Sequence, residues 1–209
     1  KGLLLEERRT NYCLQSGDLT KFVKRADTIV TGNAGTGLTA GYTKIQNDVS
    51  LNGIHSLQTT ELSANRHFST SVYLASVGGN TTAKIWLKSW QGGDVDVSLI
   101  CDLTTTPKRF DIYKQYGSGS LGSPYMEITP GEVGVPILAN YVNIEEGTFP
   151  TSYIPTTTAA VTRQYDNADV YNLSKWFDAG GGTLYVEATA GSNPAGNVGV
   201  VSIDANTTG

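Results

Sequence analysis

The sequence predicts an all-β protein, a jelly-roll β-sandwich followed by the start of a second β module. Three observations carry this. Of 209 residues, 24 are glycine and 11 tyrosine, with 39% apolar and only 16% charged, the balance of a β-rich globular chain rather than a disordered one. Apolar residues recur with period two in short runs bounded by Gly, Asn, Ser and Pro clusters. No long helical periodicity interrupts those runs, and eight or more short strands without a helix read as a sandwich of jelly-roll type.

The runs follow in order. Leu3 to Leu5 opens the chain, then come 27–31 (DTIVT), 36–45, 55–60 and 66–77 (RHFSTSVYLASV). A GGN turn at 78–80 leads to KIWLKSW at 84–90, and QGGD at 91–94 to VDVSLIC at 95–101. KRFDIYKQY at 108–116, a glycine-serine turn, YMEI at 125–128 and PILANYVNI at 136–144 complete the set. Alternation assigns the faces. Val95, Val97, Leu99 and Cys101 point inward, opposite Asp96, Ser98 and Ile100. Phe110 and Ile112 go in, leaving Arg109, Asp111 and Tyr113 outside. Ile85 and Leu87 share one face of their strand, whereas Lys84, Trp86, Lys88 and Trp90 share the other.

The next stretch, EEGTFPTSYIPTTTAAVTR at 145–163, has a different texture. Pro150 and Pro155 hold the backbone extended and remove two amide donors, so this segment cannot sit inside a sheet. Phe149, Tyr153 and Ile154 are its apolar anchors, which makes it a strap along the outside of the sandwich. Past Arg163 come a GGG turn at 180–182, strand candidates at 183–188 and 198–204, and a helical turn with Ser174 as N-cap. Two or three strands cannot bury a core alone. Residues 1–163 therefore read as the sandwich, and 164–209 as a linker and the first strands of an incomplete second β module. The first residue is Lys rather than Met, so a piece of a longer protein is expected.

Composition also excludes functions. A net charge of −4 without basic blocks argues against nucleic acid, since Arg8 with Arg9 and Lys24 with Arg25 are too short to track a phosphate backbone. No window reaches the roughly 18 apolar residues of a membrane span, so no membrane insertion is expected. Cys13 and Cys101 are too few for a disulfide framework or a thiolate metal site; they fill core space or pair with each other. Catalysis lacks its parts. His55 and His67 belong to no H-E-x-x-H pair, and no G-x-S-x-G elbow is present. Glu145 and Glu146 point to opposite faces of a strand and cannot flank one glycosidic bond. Asp94 and Asp96 share a face but follow a turn. Gly117, Gly119 and Gly122 fit G-x-G-x-x-G, yet both flanks look extended, so they mark a loop and not a dinucleotide site. The chain reads as a non-enzyme.

GLLLEERRTNYCLQSGDLT at 2–20 and NIEEGTFPTSYIPTTTAAVTRQYDNAD at 143–169 together resemble the phage head spike fibre domain, a module of tailed-bacteriophage fibre and spike proteins. That family opens with Gly-Leu-Leu-Glu and Arg-Thr-Asn, and closes with Glu-Glu-Gly-x-Phe-Pro-Thr-Ser-Tyr-Ile-Pro-Thr, Val-Thr-Arg and Ala-Asp. Two positions depart from the pattern: Asn143 stands where Gln is frequent, and Tyr12 with Cys13 behind it where Leu is usual. The resemblance implies a carbohydrate-binding-module-like jelly roll that precedes a lectin-like or laminin-G-like sandwich, and GGGTLYVEATAG at 180–191 looks like the first strand of such a partner domain. It also implies a homotrimer. No cofactor is expected. A structural calcium ion, frequent in sugar-binding jelly rolls, stays open, with Asp18, Asp48, Asp102 and Glu145 as available carboxylates.

Pyranose rings present apolar C–H faces, so the expected receptor is a flat exposed aromatic with hydrogen-bonding neighbours. Trp86, Trp90 and Tyr113 are the candidates, with Lys88, Asp96, Arg109 and Asp111 as polar partners. Tyr116 and Tyr125, flanking the glycine loop, form a second candidate patch. The same tryptophans also fit beneath a loop, the N-terminal strap or a neighbouring subunit. Covering roughly 100 Å² of an indole face contributes about 2.5 kcal/mol, less than the roughly 4 kcal/mol of a millimolar complex, so one module binds weakly and repetition must supply avidity. The expectation is a bacteriophage virion protein at the particle surface, a fibre, spike or capsid decoration, that contacts other virion proteins and attaches to bacterial surface glycans. Two further readings stay open: a structural connector that braces the fibre, and the noncatalytic module of a polysaccharide depolymerase.

Overall fold

Strands form where β-branched and aromatic residues alternate with polar ones, and they stop at the turn residues that divide them. The structure, a computed structural model, describes residues 5–58, 66–89, 96–117 and 122–166. Among these, in chain order, are β1 (Arg9–Asn11), β2 (Cys13–Leu14), β3 (Val23–Lys24), β4 (Thr28–Thr31), β5 (Thr43–Asn47), β6 (Ile54–His55) and β7 (Leu57–Gln58). They continue with β8 (His67–Ser76), β9 (Thr81–Ser89), β10 (Val97–Leu103), β11 (Lys108–Gln115), β12 (Pro124–Pro130), β13 (Ile137–Glu146) and β14 (Val161–Arg163). Short 3-10 turns occupy Leu19–Lys21 and Gly37–Thr39.

Two five-stranded antiparallel sheets, ordered β10-β9-β12-β6-β3 and β11-β8-β13-β5-β4, form a jelly-roll sandwich. Ala83, Ile85, Leu87, Met126 and Ile128 from the first sheet meet Phe68, Val72, Leu74, Ile112, Ile137 and Ile144 from the second in one buried core. Each large side chain contributes about 1.5–3 kcal/mol on burial. Cys13 and Cys101 lie in this core as free thiols.

The long predicted strands are present, with β9 beginning at Thr81, before its expected start. The expected run at 36–45 is corrected. Thr39 Oγ1 donates to Thr36 O at 2.9 Å and accepts from Thr36 N at 3.1 Å, which curls Gly37–Thr39 into a turn and delays the strand to Thr43. The run at 55–60 is also divided: Ile54–His55 joins a five-stranded sheet, whereas Leu57–Gln58 pairs with β2. Leu5 belongs to no strand. Val95, Trp90, Asp94 and the elements expected past Asp166, among them the Ser174 N-cap and the strands at 183–188 and 198–204, lie outside the described residues. Lys1–Asp166 forms one compact unit and Asn167–Gly209 another.

The proline-containing segment runs as a strap. Ile154 is buried, and Tyr153 packs on Tyr141 with ring centroids 4.9 Å apart while its hydroxyl meets Ser16 Oγ at 2.9 Å. Beyond the strap, β14 pairs antiparallel with β1, Thr10 opposite Thr162. The opening and closing segments thus bind each other. Pro150 and Pro155 are irregular rather than sheet, as their missing amides require.

Candidate functional site

Trp86 stands on the outward face of the β10-β9-β12-β6-β3 sheet because β9 alternates: Ile85 and Leu87 are fully buried, while Lys84, Trp86 and Lys88 between them are half-buried on the other side. Register places Ser98, Trp86, Glu127, His55 and Val23 side by side across the sheet. Lys84 sits between Ile100 and Thr129, and Lys88 beside Tyr125. Trp86, Lys84, Lys88, Ile100, Glu127 and Thr129 line a cleft of about 360 Å³, within the ordinary range of small-ligand sites. Gly131 closes one side, where its N–H bonds Thr82 O at 2.9 Å and a Cβ would come within 2.0 Å of Thr82 Oγ1.

The electrostatics of this face are ordered around one carboxylate. Glu127 Oε2 accepts from Arg25 Nη2 at 2.9 Å and meets Lys88 Nζ at 3.0 Å, although only 8% of its side chain is exposed. Two hydrogen-bonded cations offset the desolvation of that buried charge. Lys88 Nζ also lies 4.6 Å from the Trp86 ring centroid, and Lys84 Nζ lies 3.8 Å from it. Both ammonium groups are therefore held by the indole's π face. Lys84 meets no carboxylate among the described residues. His55 packs at a tilt against Tyr125, ring centroids 5.4 Å apart, and burial holds its imidazole below the usual histidine range. Burial likewise pushes the Tyr125 phenol up, with Glu127 and Asp96 adding to the effect and Arg25 opposing it.

Of the predicted site residues, the structure brings together Trp86, Lys88 and Tyr125, with Asp96 close enough to be felt at Tyr125. Trp90 lies outside the described residues. Arg109, Asp111 and Tyr113 do not join this group, because β11 belongs to the other sheet and they occupy its outward face. There Arg109 is engaged by the strap, donating through Nη2 to Ser71 Oγ at 2.8 Å and to the Thr151 carbonyl. Asp111 and Tyr113 are exposed beside it. Tyr116, expected as a surface platform, is corrected to a buried position: its ring packs edge-on against Phe68 and its hydroxyl donates to Lys88 O at 3.1 Å. It supports β9 from beneath instead of offering a face to solvent.

Lys84, Glu127, His55 and Arg25 were not among the predicted site residues. Alternation alone signals Lys84, two residues before Trp86, and Glu127, two residues after Tyr125. His55 is visible only through register, which a strand of two residues does not encode, and Arg25, just past β3, only through its bond to Glu127. Glu127 is the only carboxylate among the described residues lining the cleft, so a two-carboxylate geometry for cleaving a glycosidic bond is not met there. The carboxylates considered for calcium are spoken for or dispersed. Asp18 Oδ1 accepts from Thr20 N at 3.2 Å, and both Glu145 oxygens are taken by Thr151. No three His, Cys, Asp or Glu side chains converge among the described residues.

No protein-family model matches the chain, and no curated protein matches it in sequence. Solved structures do. The N-terminal CBM22-1 and GH10 modules of Clostridium thermocellum endo-1,4-β-D-xylanase 10B, complexed with xylohexaose, align with a TM-score of 0.54 at 15% identity. The alignment covers 72% of this chain and 30% of that one, so the chain spans less than a third of the xylanase fragment. The family 22 xylan-binding domain of Paenibacillus barcinonensis aligns at 0.46 with 13% identity, over 70% of this chain and 96% of that one. The enzymatically active domain of bacteriophage CBA120 tailspike protein 4 aligns at 0.44 with 11% identity, over 66% and 21%. The fold is that of a carbohydrate-binding-module-like jelly roll.

Proposed function

We propose that residues 1–166 form a noncatalytic glycan-binding module, and that its receptor surface is the Trp86 cleft. The observation that carries this reading is the placement of an indole, two ammonium groups and the Thr129 hydroxyl around a cleft of about 360 Å³ on the open face of a carbohydrate-binding-module-like sandwich. An aromatic surface takes the apolar side of a sugar ring, and the polar groups fix its hydroxyls. The wider proposal is a bacteriophage virion component, a fibre, spike or capsid decoration displayed on the particle surface, which attaches to bacterial surface glycans as a homotrimer. Its support is the resemblance of residues 2–20 and 143–169 to the phage head spike fibre domain, two segments that β1 and β14 join.

Affinity electrophoresis and calorimetry on a panel of soluble polysaccharides, with the wild-type chain beside Trp86→Ala, test the module. Retardation by at least one polysaccharide, lost in the variant while its melting temperature is kept, is the expected outcome. Binding by neither protein overturns the reading and leaves the bracing role that the strap supports.

A further inference from the structure

We propose that the Trp86 cleft selects anionic glycans, taking a carboxylate or phosphate substituent of the sugar on Lys84 and Lys88 while the ring lies against the indole. This rests on the glycan-binding reading and narrows it. A neutral sugar stacks on a bare aromatic face, but here Lys84 Nζ and Lys88 Nζ stand 3.8 and 4.6 Å from the centroid of the Trp86 ring. A neutral ligand displaces those ammonium groups without compensation, whereas an anion gains from them.

The two lysines are not equivalent. Lys88 is tied to Glu127 at 3.0 Å, and that carboxylate is shared with Arg25. Lys84 meets no carboxylate among the described residues, so its ammonium keeps its full charge while it rests on the π face of Trp86. The cleft lining thus holds two ammonium groups against one carboxylate in a chain whose net charge is −4. Two other described acids border this face: Asp96, which is felt at Tyr125, and Asp102, exposed on β10 opposite Thr82. A local positive site on an acidic protein attracts an anion that the rest of the surface repels. The Lys84 ammonium supplies three donors, and Thr129 and Thr82 at the same cleft offer hydroxyls to neighbouring sugar oxygens.

The experiment compares matched pairs: alginate and polygalacturonate, each beside its carboxyl-reduced form, and phosphomannan beside dephosphorylated mannan. Binding is measured at about 50 mM and about 500 mM NaCl for wild type, Lys84→Met, which keeps the aliphatic length without the charge, and Lys84→Arg, which keeps the charge. The expected result is an acidic member that binds about tenfold tighter than its neutral partner at low salt, a preference lost in Lys84→Met, kept in Lys84→Arg and reduced at high salt. The carboxylate and phosphate arms separate the two sources of negative charge. Equal binding within every pair, or a preference that survives Lys84→Met, overturns this inference while glycan binding stands. No binding to any of the six polymers overturns both.

Discussion

Asn11 Nδ2 donates to Asn143 Oδ1 at 2.9 Å, and both side chains are fully buried. The same amide also reaches Val142 O at 3.0 Å and Ile154 O at 2.7 Å, while Asn11 Oδ1 accepts from Cys13 N at 3.0 Å and Ile144 N at 2.9 Å. Asn143 in turn accepts from Ile154 N at 3.1 Å. One pair of asparagines therefore ties the opening segment, β13 and the strap into a single hydrogen-bonded knot. Shortening Asn11 to alanine leaves buried amides and carbonyls without partners, and each such orphan costs about 1–3 kcal/mol. Asn11→Ala should lower stability by about 3 kcal/mol, read as a drop in melting temperature of roughly 6–12 °C for a domain of this size. Scanning calorimetry checks it. A drop under about 2 °C means the knot carries no weight.

Gly147 joins the end of β13 to the strap with φ +137, a conformation that residues with side chains rarely adopt. A Cβ there would also fall 1.7 Å from Arg9 Nη1, whose guanidinium lies 5.1 Å from the centroid of the Phe149 ring and pairs with Glu7. Gly147→Ala should destabilise by about 1–3 kcal/mol through backbone strain, and the displaced Arg9 should loosen the strap. Proteolysis within residues 147–160, monitored by mass spectrometry, should accelerate in the variant at a temperature where the wild type is intact.

Glu145 is buried against the strap, with its oxygens accepting from Thr151 N at 2.7 Å and Thr151 Oγ1 at 2.6 Å. Burial raises its carboxyl above the usual carboxylate range, more than the Thr151 bonds and the charges of Arg9 and Arg109 lower it. The folded state then binds a proton that the unfolded state has released, so this group's contribution is full below the unfolded value and is lost as pH rises through the folded one. Stability measured from pH 4 to pH 8 should fall across that window in the wild type relative to Glu145→Gln. His55, shifted in the opposite direction, is common to both proteins and cancels in the difference. Parallel curves would contradict the assignment.

The outward face of β9 is legible from alternation alone: Ile85 and Leu87 against Lys84, Trp86 and Lys88 is a period-two pattern within its nine residues. What alternation does not encode is which strands share a sheet. Residue type alone therefore groups Trp86 with Tyr113, although β9 and β11 lie in different sheets. Tyr116 misled for a related reason. It follows an alternating strand in the in-facing phase of Phe110, Ile112 and Lys114, one residue past β11, and its aromatic ring says nothing of that phase. The strap was legible because proline constrains its own backbone, whereas β1 and β14, of three residues each, were not, because their pairing is a property of the knot and not of local propensity.

Cys13 and Cys101 are free and fully buried, and burial pushes the Cys101 thiol up to about 12 and the Cys13 thiol further still. Only the thiolate attacks an alkylating reagent, so both should stay silent toward iodoacetamide at about pH 8 in the native protein and react once it is unfolded. Their protection has different origins. Cys101 sits on β10, paired along β9 opposite Ala83, whereas Cys13 N is held by Asn11 Oδ1 and Cys13 O accepts from Thr156 Oγ1 in the strap. Opening the knot should therefore expose Cys13 without unfolding the sheet. In Asn11→Ala, mass spectrometry after limited alkylation should find Cys13 modified before Cys101. Simultaneous labelling would mean that the latch and the sandwich open as one unit, and that the strap has no stability of its own to lose.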